Sequence, residues 1–149
     1  MSATERFTGG CICRSLRYAA RDPIDAGYCH CRMCQRSSGA PVLAWVSFPV
    51  AAFAYESGSP GVYRSSDHCQ REFCPSCGTQ VVFRDTLRKT TVDVNVGSLD
   101  HPEAVEPRYH TWIGSRIAWF DTLDDLPRYP DDGPDAPPNP APSSSAQET

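Results

Sequence analysis

Residues 29–34 read Cys-His-Cys-Arg-Met-Cys, which puts three thiols and an imidazole on one short segment. Thiolates are soft donors, and three of them this close make a chelate for a cation such as zinc. In extended backbone, residues i and i+2 face the same side, so Cys29 and Cys31 can share a metal while His30 points the other way. Cys11-Ile-Cys13 repeats that spacing. Cys74-Pro-Ser-Cys77-Gly78 has the form of a zinc knuckle, in which Gly78 supplies the backbone angle of a tight turn.

Counting ligands separates two sites. A closed structural site takes four ligands, and Cys11, Cys13, Cys74 and Cys77 supply them from two chelating pairs. Such a site ties the start of the chain to its middle. Cys29, Cys31 and Cys34 remain, and three protein ligands with an open position is how catalytic zinc is presented. The expected complement is therefore two Zn2+ per chain. Cys69 stands alone. It reads as a small buried hydrophobe, or as a fourth ligand that would close the second site.

Disulfides are the rival reading of eight cysteines. They suit an exported chain, and Met1–Arg6 lacks the apolar stretch of a secretory signal. A cytoplasmic setting is expected, where thiols stay reduced. No apolar run approaches the ~18 residues of a membrane span. A net charge of −4 argues against nucleic acid, which needs a basic face. Neither a nucleic acid nor a membrane is an expected partner.

The elements that must position these residues are short strands. Thr91–Val96 alternates, with Val92, Val94 and Val96 on one face. Pro41–Phe48 is apolar on both faces and reads as a central strand. Ser15–Tyr18, Gln80–Phe83 and Ile117–Phe120 are further strand candidates, separated by Gly/Pro turn signals. Helical suggestions are confined to Cys31–Ser38 and Asp100–Glu103. The fold class is mainly β. Residues 130–149 are rich in proline and serine and read as a disordered tail behind a domain over 5–129.

Other motifs fit the sequence less well. Cys31-x-x-Cys34 and Cys74-x-x-Cys77 each match a redox pair, but further cysteines stand beside both and no βαβ pattern surrounds either. His101-Pro-Glu103 matches half of a zinc deaminase signature, whose downstream P-C-x-x-C is missing. His110, beside Trp112, reads as a hydrogen-bonded structural histidine.

Three stretches in order, Gly10–Tyr18, Cys29–Gly39 and Arg71–Gly78, together resemble the glutathione-dependent formaldehyde-activating enzyme family, which includes centromere protein V-like domains. Val94–Leu99, His110–Trp112 and Trp119–Pro127 look like the same family's C-terminal half. The resemblance covers roughly residues 5–129. It implies a β-tent of small antiparallel sheets organised around two zincs. It assigns Cys11, Cys13, Cys74 and Cys77 to the structural metal, and Cys29, Cys31 and Cys34 to the catalytic one, as the ligand count does. The implied reaction joins glutathione to formaldehyde, giving S-hydroxymethylglutathione by carbon–sulfur lyase chemistry.

For such a reaction the open position would present the substrate sulfur as thiolate. His30 and Arg32 are candidates to orient or protonate the developing alkoxide. Gln35, Arg36, Ser37 and Ser38 follow the last ligand and could contact an anionic thiol such as glutathione. Arg36 is the best placed, because a guanidinium pairs bidentately with a carboxylate. The rival readings are a small-thiol carrier and a zinc-stabilised binding module, since this fold also serves chaperone-like partners of small GTPases.

Overall fold

The computed structural model describes residues 5–134. In chain order these form β1 (Arg6–Gly10), β2 (Arg17–Arg21), β3 (Asp25–Cys29), α1 (Arg32–Ser38), β4 (Leu43–Pro49), β5 (Phe53–Ser57), β6 (Gly61–Arg64), β7 (Cys69–Phe73), β8 (Gln80–Asp85), β9 (Thr91–Asn95) and β10 (His110–Thr111). Short 3-10 turns connect several of them. The architecture is mainly β, as expected. No helix among the described residues is long and apolar enough to cross a membrane.

Two sheets result. One has the order β1-β2-β5; the other runs β10-β3-β4-β9-β8-β7-β6. Neighbours are antiparallel except β10, which lies parallel to β3 and sets His110 beside Tyr28 and Thr111 beside Cys29. The expected central strand is central: β4 pairs with β3 on one side and β9 on the other. The core lies between the sheets. Phe7 and Phe48 pack with ring centroids 5.4 Å apart, and Leu16, Tyr18, Val46, Val81, Val82, Val92 and Val94 fill the space around them. Each such side chain is worth about 1.5–3 kcal/mol of burial.

Several elements differ from the sequence reading. Ile117–Phe120 is a turn, not a strand: Arg116 donates from its guanidinium to the carbonyls of Ile117, Ala118 and Phe120, and Trp119 stays exposed. The Ser15–Tyr18 strand starts two residues later, because the Leu16 carbonyl closes a turn onto the Cys11 N–H. Asp100–Glu103 gives only the 3-10 turn Pro102–Ala104. Residues 130–134 pack on the domain: the Trp112 N–H donates to the Asp131 carbonyl (2.9 Å), Asp132 pairs with Arg88, and Gly133 lies against Tyr109. The rest of the expected tail, 135–149, lies outside the described residues.

Asp93 sits on β9 opposite Ser47, which donates a hydrogen bond to it. Burial pushes its carboxyl up to about 6, although the Ser47 hydroxyl pulls the other way. The fold therefore favours the protonated form, and stability falls as pH rises from the ordinary carboxylate range through 6. Asp93→Asn removes that cost and should stabilise the protein by about 2 kcal/mol at pH 8. The gap should narrow toward pH 5. Thermal unfolding across that range checks it, and a gap independent of pH would show that Asp93 titrates normally.

Candidate functional site

The first cysteine cluster joins the two sheets. Cys11 and Cys13 lie in the β1–β2 turn, Cys74 and Cys77 in the β7–β8 turn, and the four sulfurs lie within 4.8 Å of one another. Cys11 and Cys74 are buried; Cys13 and Cys77 are exposed. The turns are built around the sulfurs. The Leu16 N–H points at Cys11 Sγ (3.3 Å) and the Cys77 N–H at Cys74 Sγ (3.5 Å). Gly78 has φ +81°, with open space where a Cβ would stand, so the knuckle needs glycine for its angle and not for room. Cys11 and Cys13 converge through this turn, with Arg14 at φ 67°, and not through the extended spacing assumed for them. Hydrogen bonds from Thr79 draw the Cys77 thiol down to about 5, so this one donor favours thiolate where a metal needs it.

The second cluster is wholly buried. Cys29 ends β3, Cys31 caps α1, and Cys34 lies in the helix's first turn. The Cys34 N–H donates to Cys31 Sγ at 3.2 Å. The backbone from Cys29 to Cys31 is extended as expected, with Cys31 at φ −64°, ψ 151°. Met33, Leu43, Trp45 and Trp112 surround the sulfurs. The three thiols compete for one negative charge. Hydrogen bonds from Cys29 and Cys34 draw Cys31 down to about 3, while bonding to Cys31 pushes Cys29 well up. Cys34 is drawn down by Cys29, but Cys31 and burial outweigh this and leave it near 12. A cation resolves the competition, because it lets all three ionise together. This donor set fits zinc.

Arg71 was not assigned a role from sequence. On β7 its guanidinium is buried, with Nη1 3.6 Å and Nη2 3.7 Å from Cys34 Sγ and Nη1 3.3 Å from Ser37 Oγ. It stacks over Phe83, its cross-strand partner, at 5.0 Å. The only sequence signal was its place in the Arg71–Gly78 stretch.

His30 faces away from the sulfurs' side and into the protein. It is buried, and its Nε2 lies 2.7 Å from His110 Nδ1. His110 Nε2 lies 3.1 Å from both Asp124 oxygens. Because a carboxylate only accepts, the proton order is fixed: His110 donates to Asp124, and His30 donates to His110. Burial first, then the neighbouring His110, lowers His30 to about 4 and keeps it neutral. His30 Nδ1 is then a buried lone pair without a partner among the described residues. His110 is hydrogen-bonded as expected, but to the one histidine of the cysteine segment.

The other candidates divide. Gln35 donates to the carbonyls of His30 (2.8 Å) and Ser115 (3.1 Å), and Arg32 donates to Gln35. Ser37 and Ser38 donate to the Cys34 carbonyl. Arg36 is exposed and in no ion pair among the described residues. Cys69 is half-buried, and its sulfur is grouped with His68 and Asp85 and not with the three buried cysteines.

A mainly-β domain carrying two thiol clusters able to hold metal ions is the class these features define. The chain belongs to the glutathione-dependent formaldehyde-activating enzyme family, whose model matches residues 6–115. All seven clustered cysteines, Arg71 and His110 lie inside that span, and Asp124 lies beyond it. An uncharacterized lyase of Schizosaccharomyces pombe (strain 972 / ATCC 24843) is 30% identical over 98 residues, which are 60% of this chain and 65% of that protein. The chain thus spans just under two thirds of that relative's length. The crystal structure of a Rhodobacter sphaeroides protein matches with a TM-score of 0.56 at 20% identity, covering 81% of this chain and 98% of that one. That likeness speaks to the fold alone.

Proposed function

We propose that the protein is a zinc-dependent carbon–sulfur lyase acting on a thiol–aldehyde adduct, with glutathione and formaldehyde as the pair the family suggests. The observation that carries this reading is the position of Cys69. It stands with His68 and Asp85 and apart from Cys29, Cys31 and Cys34, so the buried cluster offers three protein ligands and leaves the fourth coordination position to another donor. The same family and the relative named a lyase support it. A reducing, cytoplasmic setting suits free thiols of this kind.

In this proposal Cys11, Cys13, Cys74 and Cys77 hold a structural zinc, and Cys29, Cys31 and Cys34 hold the catalytic one. Bound there, zinc supplies a Lewis-acid position that lowers the pKa of a substrate thiol. Arg71 offsets the negative charge gathered at Cys34 and leaves room for one more thiolate. His30, held in one tautomer by His110 and Asp124 on the side away from the sulfurs, fixes the backbone between Cys29 and Cys31, while the thiol proton leaves to solvent and solvent returns one to the alkoxide oxygen. One C–S bond forms as the carbonyl π bond opens, and no oxidant is involved. Arg36 is the proposed partner for a substrate carboxylate.

The test is exchange between free formaldehyde and its glutathione adduct, followed by NMR with labelled formaldehyde. Zinc-loaded protein should exchange faster than the spontaneous reaction, and Cys31→Ser should lose that acceleration. With two zincs confirmed and no acceleration, the reading falls to a thiol carrier or a binding module.

A further inference from the structure

A third set of donor atoms converges at the opposite end of the β7–β8 hairpin from the Cys74–Cys77 turn. Cys69 opens β7 and Asp85 closes β8, and the two are cross-strand partners, so their side chains stand together on one face. His68 precedes Cys69 at the end of the turn from β6. Its Nδ1 lies 3.0 Å from Asp85 Oδ1 and 3.3 Å from Cys69 Sγ, and the three donor atoms lie within 4.8 Å of one another.

The backbone holds this arrangement from several sides. The His68 carbonyl accepts from the Thr86 N–H (2.7 Å), and the Cys69 carbonyl accepts from the Ser65 N–H (3.0 Å). The Cys69 N–H donates to Ser66 Oγ (3.1 Å). Asp85 Oδ1 accepts from the Leu87 N–H (2.9 Å), which orients the carboxylate as outer-sphere partners orient metal ligands. All three residues are half-buried, which shields the point where they meet without closing it to solvent.

One nitrogen serves two neighbours here. A neutral imidazole Nδ1 has a single proton or a single lone pair, so it makes one full hydrogen bond and not two. A cation at the common point turns the competition into coordination by one nitrogen, one sulfur and one oxygen. Around tetrahedral zinc, bond lengths of about 2.0–2.3 Å place ligand atoms roughly 3.3–3.6 Å apart. The spacings of 3.0 and 3.3 Å need only a few tenths of an ångström of opening.

We propose that His68, Cys69 and Asp85 form a third metal site, separate from both cysteine clusters, that takes a zinc-like divalent cation and keeps one position for water. Chelating spacing could not have revealed it, because Asp85 joins His68 and Cys69 only through the hairpin register.

The test is an equilibrium zinc titration of the folded protein against a chromophoric chelator, run in parallel on the parent, His68→Ala, Cys69→Ser and Asp85→Asn. The readout is the difference between parent and variant, so it does not depend on how many ions the cysteine clusters hold or on any activity. Cys69→Ser and His68→Ala should each bind one equivalent fewer than the parent, and Asp85→Asn should weaken that equivalent at least tenfold. With two equivalents of zinc bound first and cobalt added as the third, a sulfur-to-metal absorption should appear for the parent and be missing for Cys69→Ser. Equal stoichiometry in the parent and all three variants overturns the proposal, and so does a cobalt absorption that survives Cys69→Ser.

Discussion

Replacing Cys74 with serine should remove one equivalent of metal and the cooperative unfolding transition together. Cys74 is fully buried and belongs both to the four-sulfur cluster and to the hydrophobic core beside Val81 and Val82. That cluster also joins the three-stranded sheet to the seven-stranded one, through the β1–β2 and β7–β8 turns. Structural zinc contributes roughly 10–16 kcal/mol in small domains. This rivals the ~5–15 kcal/mol total stability of a typical fold. Serine is a poor zinc ligand, and it would also bury a hydroxyl among apolar side chains at about 1–3 kcal/mol. Cys77→Ser is the control, because Cys77 is exposed. It should weaken metal retention and lower the Tm while keeping a cooperative transition. Metal analysis with circular dichroism melting reads both effects. A Cys74→Ser protein that keeps the parent's metal content and Tm would show that the four sulfurs do not form one structural site.

How far the sequence could lead depended on whether a feature was local. Cys29 to Cys34 and Cys74 to Gly78 announce themselves by short spacing, and the structure gathers them as the spacing requires. Strand β9 was legible because Val92 and Val94 alternate with partly exposed neighbours. Ile117–Phe120 showed how such patterns mislead: the residues suit a strand, but among the described residues no partner strand pairs with them and Arg116 binds their carbonyls in a turn. Long-range pairings were not legible. The contact between His30 and His110 spans 80 positions and exists because β10 lies parallel to β3. Arg71 reaches Cys34 across 37 positions, through the sheet and not through any motif. Cys69 looked like filler because its partner Asp85 is fixed only by strand register.

Arg71→Met should lower kcat/KM for an anionic thiol by about 100-fold while the metal content stays at the parent's value. Three thiolates around a divalent cation carry one net negative charge, and a substrate thiolate would add another. The Arg71 guanidinium lies 3.6–3.7 Å from Cys34 Sγ in a buried setting, where it can balance that charge. A hydrogen bond to a charged partner is worth about 1.5–3 kcal/mol, so its loss corresponds to roughly 10–100-fold or slightly more. Methionine keeps the contact with Phe83 that Arg71 makes by stacking, which separates the charge from the packing. Arg71→Lys keeps the charge but not the forked donors, and should recover part of the lost rate. Steady-state kinetics with metal analysis on both variants distinguishes the outcomes. Parental kinetics in Arg71→Met would reduce Arg71 to a packing role against Phe83. Metal loss in that variant would instead make Arg71 a holder of the Cys34 thiolate, acting before any substrate arrives.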